Sequence, residues 1–123
     1  MDTISLIISV NGRNVNRVML KKQKVTLGRD ADNDIVLDDP AVSSKHAEIL
    51  WQDEEGFMLI DLASTNGTLV NNQKIGEYAL QHGDIISMGM TNLEIADSQN
   101  ELKTTKAIKK SWLPGVYFLK DKK

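Results

Sequence analysis

The chain has 123 residues, 41% of them apolar and 26% charged, which fits one soluble domain with a modest core. It has no cysteine, which excludes a disulfide framework and any thiolate metal site. The net charge of -2 conceals an asymmetry: residues 1–97 hold 8 Lys+Arg against 15 Asp+Glu, whereas residues 98–123 hold 7 against 2.

The opening segment MDTISLIISVNGR is apolar only briefly, is broken by serines and lacks a basic start, so it does not read as a signal peptide. No run approaches the ~20 apolar residues that cross a bilayer, and the expected location is the cytoplasm. An acidic body of this kind argues against a nucleic-acid partner, which needs a basic face.

Short apolar runs then follow one another, each bounded by turn residues: Ile4–Val10, Val18–Leu20, Val25–Leu27, Ile35–Leu37, Ala47–Trp51, Phe57–Leu62, Thr68–Val70, Ile85–Met88 and Leu93–Ala96. NGR, RDADND, QDEEG, STNGT, NNQK and QHGD separate them. β-Branched residues are frequent and helical periodicity is absent, so the body is expected to be all-β, an antiparallel sandwich or barrel.

The tail is different. Ser98 and Glu101 fit a capping box, and Leu102, Thr105, Ile108 and Trp112 fall on one face of a helix expected over 99–112, which Pro114-Gly115 would stop. VYFLK at 116–120 reads as a further strand or a docking segment. The expected organisation is a domain over 1–97 and a basic extension over 98–123.

Several motifs invite chemistry. DADND at 30–34 resembles the start of a calcium loop, but the sixth and twelfth positions are Ile35 and Ala41 where glycine and glutamate are required. A solvated acidic loop is the better reading, and no metal or other cofactor is expected. Ser43 and His46 lie three apart before an apolar strand. A hydrolytic triad needs an orienting third group and oxyanion donors, and no G-x-S-x-G elbow is present, so no enzymatic activity is expected. Asn66-Gly67 is a hairpin signal. Ser64, Thr65, Asn66 and Thr68 crowd hydroxyl and amide groups around it, and such a loop can hold an anion and a peptide backbone.

Taken in order, Gly28-Arg29, Ser43-x-x-His46, Thr65-Asn66-Gly67 and Gly83-Asp84 form a pattern that resembles the forkhead-associated (FHA) domain over about residues 4–97. The resemblance implies an eleven-stranded β-sandwich whose apical loops bind phosphothreonine peptides. It implies that Arg29, Ser43, Ser44, Thr65 and Asn66 contact the phosphopeptide. Gly28, His46 and Gly67 support the site, Gly67 by permitting a turn with φ > 0. The position after Ser43 is often basic or asparagine in this family, whereas here it is Ser44. The implied partner is a threonine-phosphorylated protein; the alternative is an FHA fold that serves as a structural interaction piece without phosphate. Loops near Ala41 and Met90–Asn92 are small or apolar and imply an apolar preference three residues after the phosphothreonine.

Overall fold

The structure is a computed structural model and describes residues 4–96 and the backbone of 97 and 116–118. Two six-stranded sheets pack face to face. The first contains β1 (Ile4–Val10), β2 (Arg13–Leu20), β7 (Thr68–Val70), β8 (Gln73–Ile75), β10 (Ile85–Met88) and β11 (Thr91–Asp97), in the order β2-β1-β11-β10-β7-β8. The second contains β3 (Lys24–Gly28), β4 (Ile35–Leu37), β5 (Ala47–Gln52), β6 (Gly56–Asp61), β9 (Glu77–Ala79) and β12 (Val116–Phe118), in the order β12-β4-β3-β5-β6-β9. The eleven strands expected lie within residues 4–97, and the tail adds a twelfth. The helix expected over 99–112 lies outside the described residues.

Alternation of apolar and polar residues aims one face of each sheet inward. Leu6, Ile8, Leu93, Ile95 and Ile86 from the first sheet meet Leu27, Ile49 and Leu59 from the second, all at 2% exposure or less. Each such side chain contributes roughly 1.5–3 kcal/mol by leaving water. Val15 reaches the core through a bulge, where the β1–β2 register slips between Ile8 and Ser9. Asn11 and Gly12 close that hairpin with φ of 53° and 81°, and Asn71 and Asn72 close β7–β8 with 51° and 71°. Positive φ at both central residues is the turn that matches strand twist.

Asn66-Gly67 is not a hairpin turn, contrary to its dipeptide signal. β6 pairs with β5 and β9, while β7 pairs with β10 and β8, so the loop between them carries the chain from one sheet to the other.

β3 and β4 run parallel across only two residue pairs, Leu27↔Ile35 and Gly28↔Val36, after a six-residue return. Such a tight return needs local fixtures, and DADND supplies them. Asp34 accepts from the Thr26 backbone N–H at 2.9 Å, and its own N–H donates to Thr26 Oγ1 at 2.9 Å. Asn33 is fully buried and its amide donates to the carbonyls of Asp30 and Ser44 at 3.0 and 2.7 Å. The loop is therefore structural over half its length and not solvated throughout.

Candidate functional site

The loop 38–46, between β4 and β5, is the hub of one end of the sandwich. Its neighbours bind it mainly through backbone groups. Arg29 N–H donates to the Ser43 carbonyl at 3.0 Å and Asp30 N–H to the Ser44 carbonyl at 3.2 Å. Thr65 N–H donates to Ser43 Oγ at 2.9 Å, and Asn66 Nδ2 to the Ala41 carbonyl at 2.9 Å. Loops 29–34, 38–46 and 62–67 thus converge, and they bring Arg29, Ser43, Ser44, Thr65 and Asn66 together.

His46 lies beneath them. It is fully buried, and its Nδ1 accepts from the Ser43 N–H at 3.0 Å. That leaves Nε2 to carry the proton, which it donates to the Gly67 carbonyl at 2.9 Å. The imidazole therefore ties two loops in its neutral Nε2–H form. It does not bond Ser43 Oγ, so the pair has no nucleophile–base geometry.

The glycines beside it are required by space and conformation. A Cβ on Gly28 would collide with the Ser44 carbonyl oxygen and lie 2.8 Å from Asn33 Nδ2. Gly67 has φ of 88°, in a region that L side chains rarely adopt. The stem of Lys74, from β8, lies across Gly67 and brings a second cation to this end of the molecule.

Arg29 is exposed, and its Nε donates to the Val42 carbonyl at 3.0 Å. That bond orients the guanidinium and leaves its Nη groups for other acceptors. Among the described residues no carboxylate pairs with it. Lys22, Lys24 and Lys45 are instead paired with Asp34, Glu48 and Asp32. Lys45, one residue beyond Ser44, is thus directed to Asp32 at 3.0 Å.

Three carboxylate or amide residues that the motif pattern did not single out hold this end together. Asn33 ties loop 29–34 to the Ser44 carbonyl. Asp39 accepts from the N–H groups of Ala41 and Met90 at 2.9 and 2.8 Å, which fastens loop 38–46 to the β10–β11 turn. Asp61 accepts from the Ser64 N–H at 3.1 Å, from Ser64 Oγ, and from Thr68 Oγ1 at 2.7 Å. Ser64 Oγ in turn accepts from the Gly67 N–H at 3.0 Å. Burial pushes the Asp61 carboxyl up, but the bonds from Ser64 and Thr68 outweigh it and hold the group below its ordinary value of 3.8. The spacing Asp61-Leu-Ala-Ser64 is a recognisable side-chain turn signal, and Asp39-Pro40 another.

Residues 25–89, just over half of the chain, match the family model of the FHA domain. The chain belongs to the FHA domain family. Glycogen accumulation regulator GarA of Mycobacterium tuberculosis is 37% identical over 90 residues, which cover 72% of this chain and 55% of GarA. The chain thus spans little more than half the length of that relative. Among solved structures, one from a structural and functional analysis of phosphothreonine-dependent FHA domain interactions matches with a TM-score of 0.69 at 33% identity, covering 76% of this chain and 95% of that one. The FHA domain of FhaA, solved in complex with the intracellular domain of Rv3910, matches with a TM-score of 0.67 at 33% identity, covering 75% and 98%.

Among the described residues of this FHA domain, no group of His, Asp or Glu side chains is placed to hold a metal ion. None of these residues forms a helix long and apolar enough to cross a membrane.

Proposed function

We propose that this FHA domain reads threonine-phosphorylated peptides as a non-catalytic interaction module. The observation that carries the reading is the convergence of an unpaired Arg29 with the side chains of Ser43, Thr65 and Asn66 on one loop cluster. A phosphothreonine brings about -1.5 to -2 charge and several acceptor oxygens, and a guanidinium fork suits it. Ser43 Oγ already accepts from Thr65 N–H, so its own proton is available to a phosphate oxygen. Thr65, exposed, adds a second hydroxyl, and Ser44, exposed and next in the chain to Ser43, a third. Asn66 spends one amide proton on Ala41, and keeps its Oδ1 and its second proton for the backbone of a bound peptide.

The partners of GarA and FhaA belong to those proteins; the partner class proposed for this chain is a protein phosphorylated on threonine. Beside the cluster, a cavity of about 160 Å³ is lined by Val10, Asn11, Asp38, Asp39, Pro40, Met90 and Thr91. Met90 stands 55% exposed there, next to Ala41 across Gly89. This supports an apolar residue shortly after the phosphothreonine. A few charge-assisted bonds at roughly 1.5–3 kcal/mol each suit a Kd of order micromolar.

Calorimetry with phosphothreonine, phosphoserine and unphosphorylated peptides of one sequence tests the reading. Phosphothreonine is expected to bind best and Arg29→Ala to lose most of the affinity while melting as the parent does, since an exposed charge contributes little to folding. Equal binding of phosphorylated and unphosphorylated peptides, or by Arg29→Ala and the parent, would overturn it.

A further inference from the structure

Lys74 carries a charge that neither the fold nor the contacts proposed for the phosphate use. It stands opposite Leu69 in the β7–β8 pair. Thr68 and Val70 are buried and Leu69 is half-buried, so alternation turns Leu69 and Lys74 to the outward face of the first sheet. The diagonal neighbour of Lys74 on that face is position 67, two residues before Leu69. That position holds glycine, and the lysine stem fills the space a side chain would take. A Cβ on Gly67 would lie 2.8 Å from Lys74 Cε and 3.5 Å from both Cδ and Nζ. Gly67 is buried, with His46 Nε2 on its carbonyl and the Lys74 stem across it.

The stem is packed, and the residue is still exposed, so the ammonium meets water. The packing sets where that charge stands: beside the Asn66-Gly67 turn. Lys22, Lys24 and Lys45 each pair with a carboxylate, whereas among the described residues Lys74 pairs with none. Its outward row continues through Leu69 to Ser87, neither of them anionic. A stem already held against Gly67 has given up part of the rotamer freedom that an exposed ion pair ordinarily costs. The charge of -7 over residues 1–97 disfavours acidic ligands in general, so a carboxylate is accepted only where a local cation stands.

Arg29 is tied to loop 38–46 and Lys74 to the end of loop 62–67, and the Ser43–Thr65 bond joins those two loops. We propose that Lys74 is a second anion subsite, which takes the carboxylate of an aspartate or glutamate one or two residues from the phosphothreonine. The proposal rests on the phosphothreonine reading and adds a class of peptide to it. Arg29 serves the phosphate there, and Asn66 holds the peptide backbone. An extended peptide advances about 3.3 Å per residue, so a side chain this near the anchored residue is within reach of a lysine beside Asn66.

The test is calorimetry on the full chain with a phosphothreonine peptide whose flanking residues are alanine. Four further peptides each place one glutamate, at either of the two positions before or after the phosphothreonine. The readout is the affinity of each glutamate peptide relative to the alanine one. One position is expected to gain about 2- to 5-fold at low salt, the size of an exposed ion pair, and to lose the gain as salt rises. Lys74→Met keeps an apolar stem over Gly67 and is expected to bring that ratio to one. Lys74→Glu is expected to invert it and to favour a lysine at the same peptide position. A parent chain with no preference for glutamate at any of the four positions overturns the proposal. So does a preference that Lys74→Met retains. Weakening of every phosphopeptide alike by Lys74→Met, with the ratio unchanged, assigns Lys74 to the phosphate or the scaffold and overturns it as well. Absence of any Arg29-dependent phosphopeptide binding is the separate outcome that removes the phosphothreonine reading, and this subsite falls with it.

Discussion

The backbone N–H of Thr65 donates to Ser43 Oγ at 2.9 Å, across 22 residues of sequence and between two loops. The bond fixes more than a distance. A hydroxyl that accepts from a backbone donor has its proton left to give, and here the Ser43 proton has no assigned acceptor among the described residues. The loop cluster therefore presents a donor that is oriented before any ligand arrives, which lowers the entropic cost of binding.

Ser43→Ala is accordingly expected to weaken phosphopeptide binding by about 10- to 100-fold, the equivalent of one charge-assisted hydrogen bond of roughly 1.5–3 kcal/mol. It should lower thermal stability only slightly, because Thr65 is exposed and its N–H can turn to water. Calorimetry and a melt on the same variant separate the two effects. A large loss of stability with unchanged affinity would assign Ser43 to the scaffold instead.

His46→Ala should do the reverse in proportion. It removes a fully buried ring and leaves the Ser43 N–H and the Gly67 carbonyl without their partner. Cavity and lost hydrogen bonds together are expected to cost about 3 kcal/mol of stability. Affinity should fall as well, although the ring lies beneath the cluster, because the two loops it joins carry Ser43 and Asn66. Urea unfolding gives the first quantity, and peptide titration below the melting range gives the second.

Much of this arrangement could be read in the sequence, and the parts that could not share a cause. Ile4–Val10, Ile35–Leu37, Thr68–Val70 and Ile85–Met88 have the bounds their apolar runs indicate. Gln73–Ile75 and Glu77–Ala79 were not legible. QKI and EYA show no apolar alternation, and they are strands because β7 and β6 offer them edges to pair with. The polar start of β2 at Arg13 likewise follows from its partner β1 and the bulge at Ile8, not from its own composition. At the site, the spacing of Ser43 and His46 was legible. The roles of Asn33, Asp39 and Asp61 were not, since a carboxylate in a loop reads first as a solvated charge. Each is instead a fixture for backbone or side-chain groups several to many residues away. Asp39 reaches Met90 N–H across 51 positions, a relation no local pattern records.

Two glycine substitutions should give opposite results. A Cβ at Gly28 meets the Ser44 carbonyl, which must move, and with it the loop that carries Ser43. Gly28→Ala is expected to lose roughly 1–3 kcal/mol of stability and to weaken phosphopeptide binding. Gly76 has no atom within 4 Å of the equivalent position and no positive φ. Gly76→Ala should be neutral or stabilising by about 0.4–1 kcal/mol, through the unfolded chain. Melts of both variants, with one peptide titration each, check the contrast.

The acid limb of stability should report Asp61. Hydrogen bonds from Ser64 and Thr68 hold its carboxyl below the ordinary value of 3.8, against the opposing effect of burial. The folded state therefore binds that proton less readily than the unfolded state, whose value is about 3.9. By linkage the stabilisation is fully present above about pH 4 and is lost as pH falls through the lower folded value. Asp61→Asn keeps one acceptor oxygen but places an amide donor against Ser64 or Thr68, and is expected to cost roughly 1–3 kcal/mol at pH 7. The gap between parent and variant should hold from pH 7 to about pH 5 and narrow below pH 4, once the parent's carboxyl is itself protonated. Urea unfolding at stepped pH measures it. A gap that stays constant through pH 3 would mean that the charge on Asp61 adds nothing to the loop, and that the hydrogen-bond geometry alone holds Ser64 and Thr68 in place.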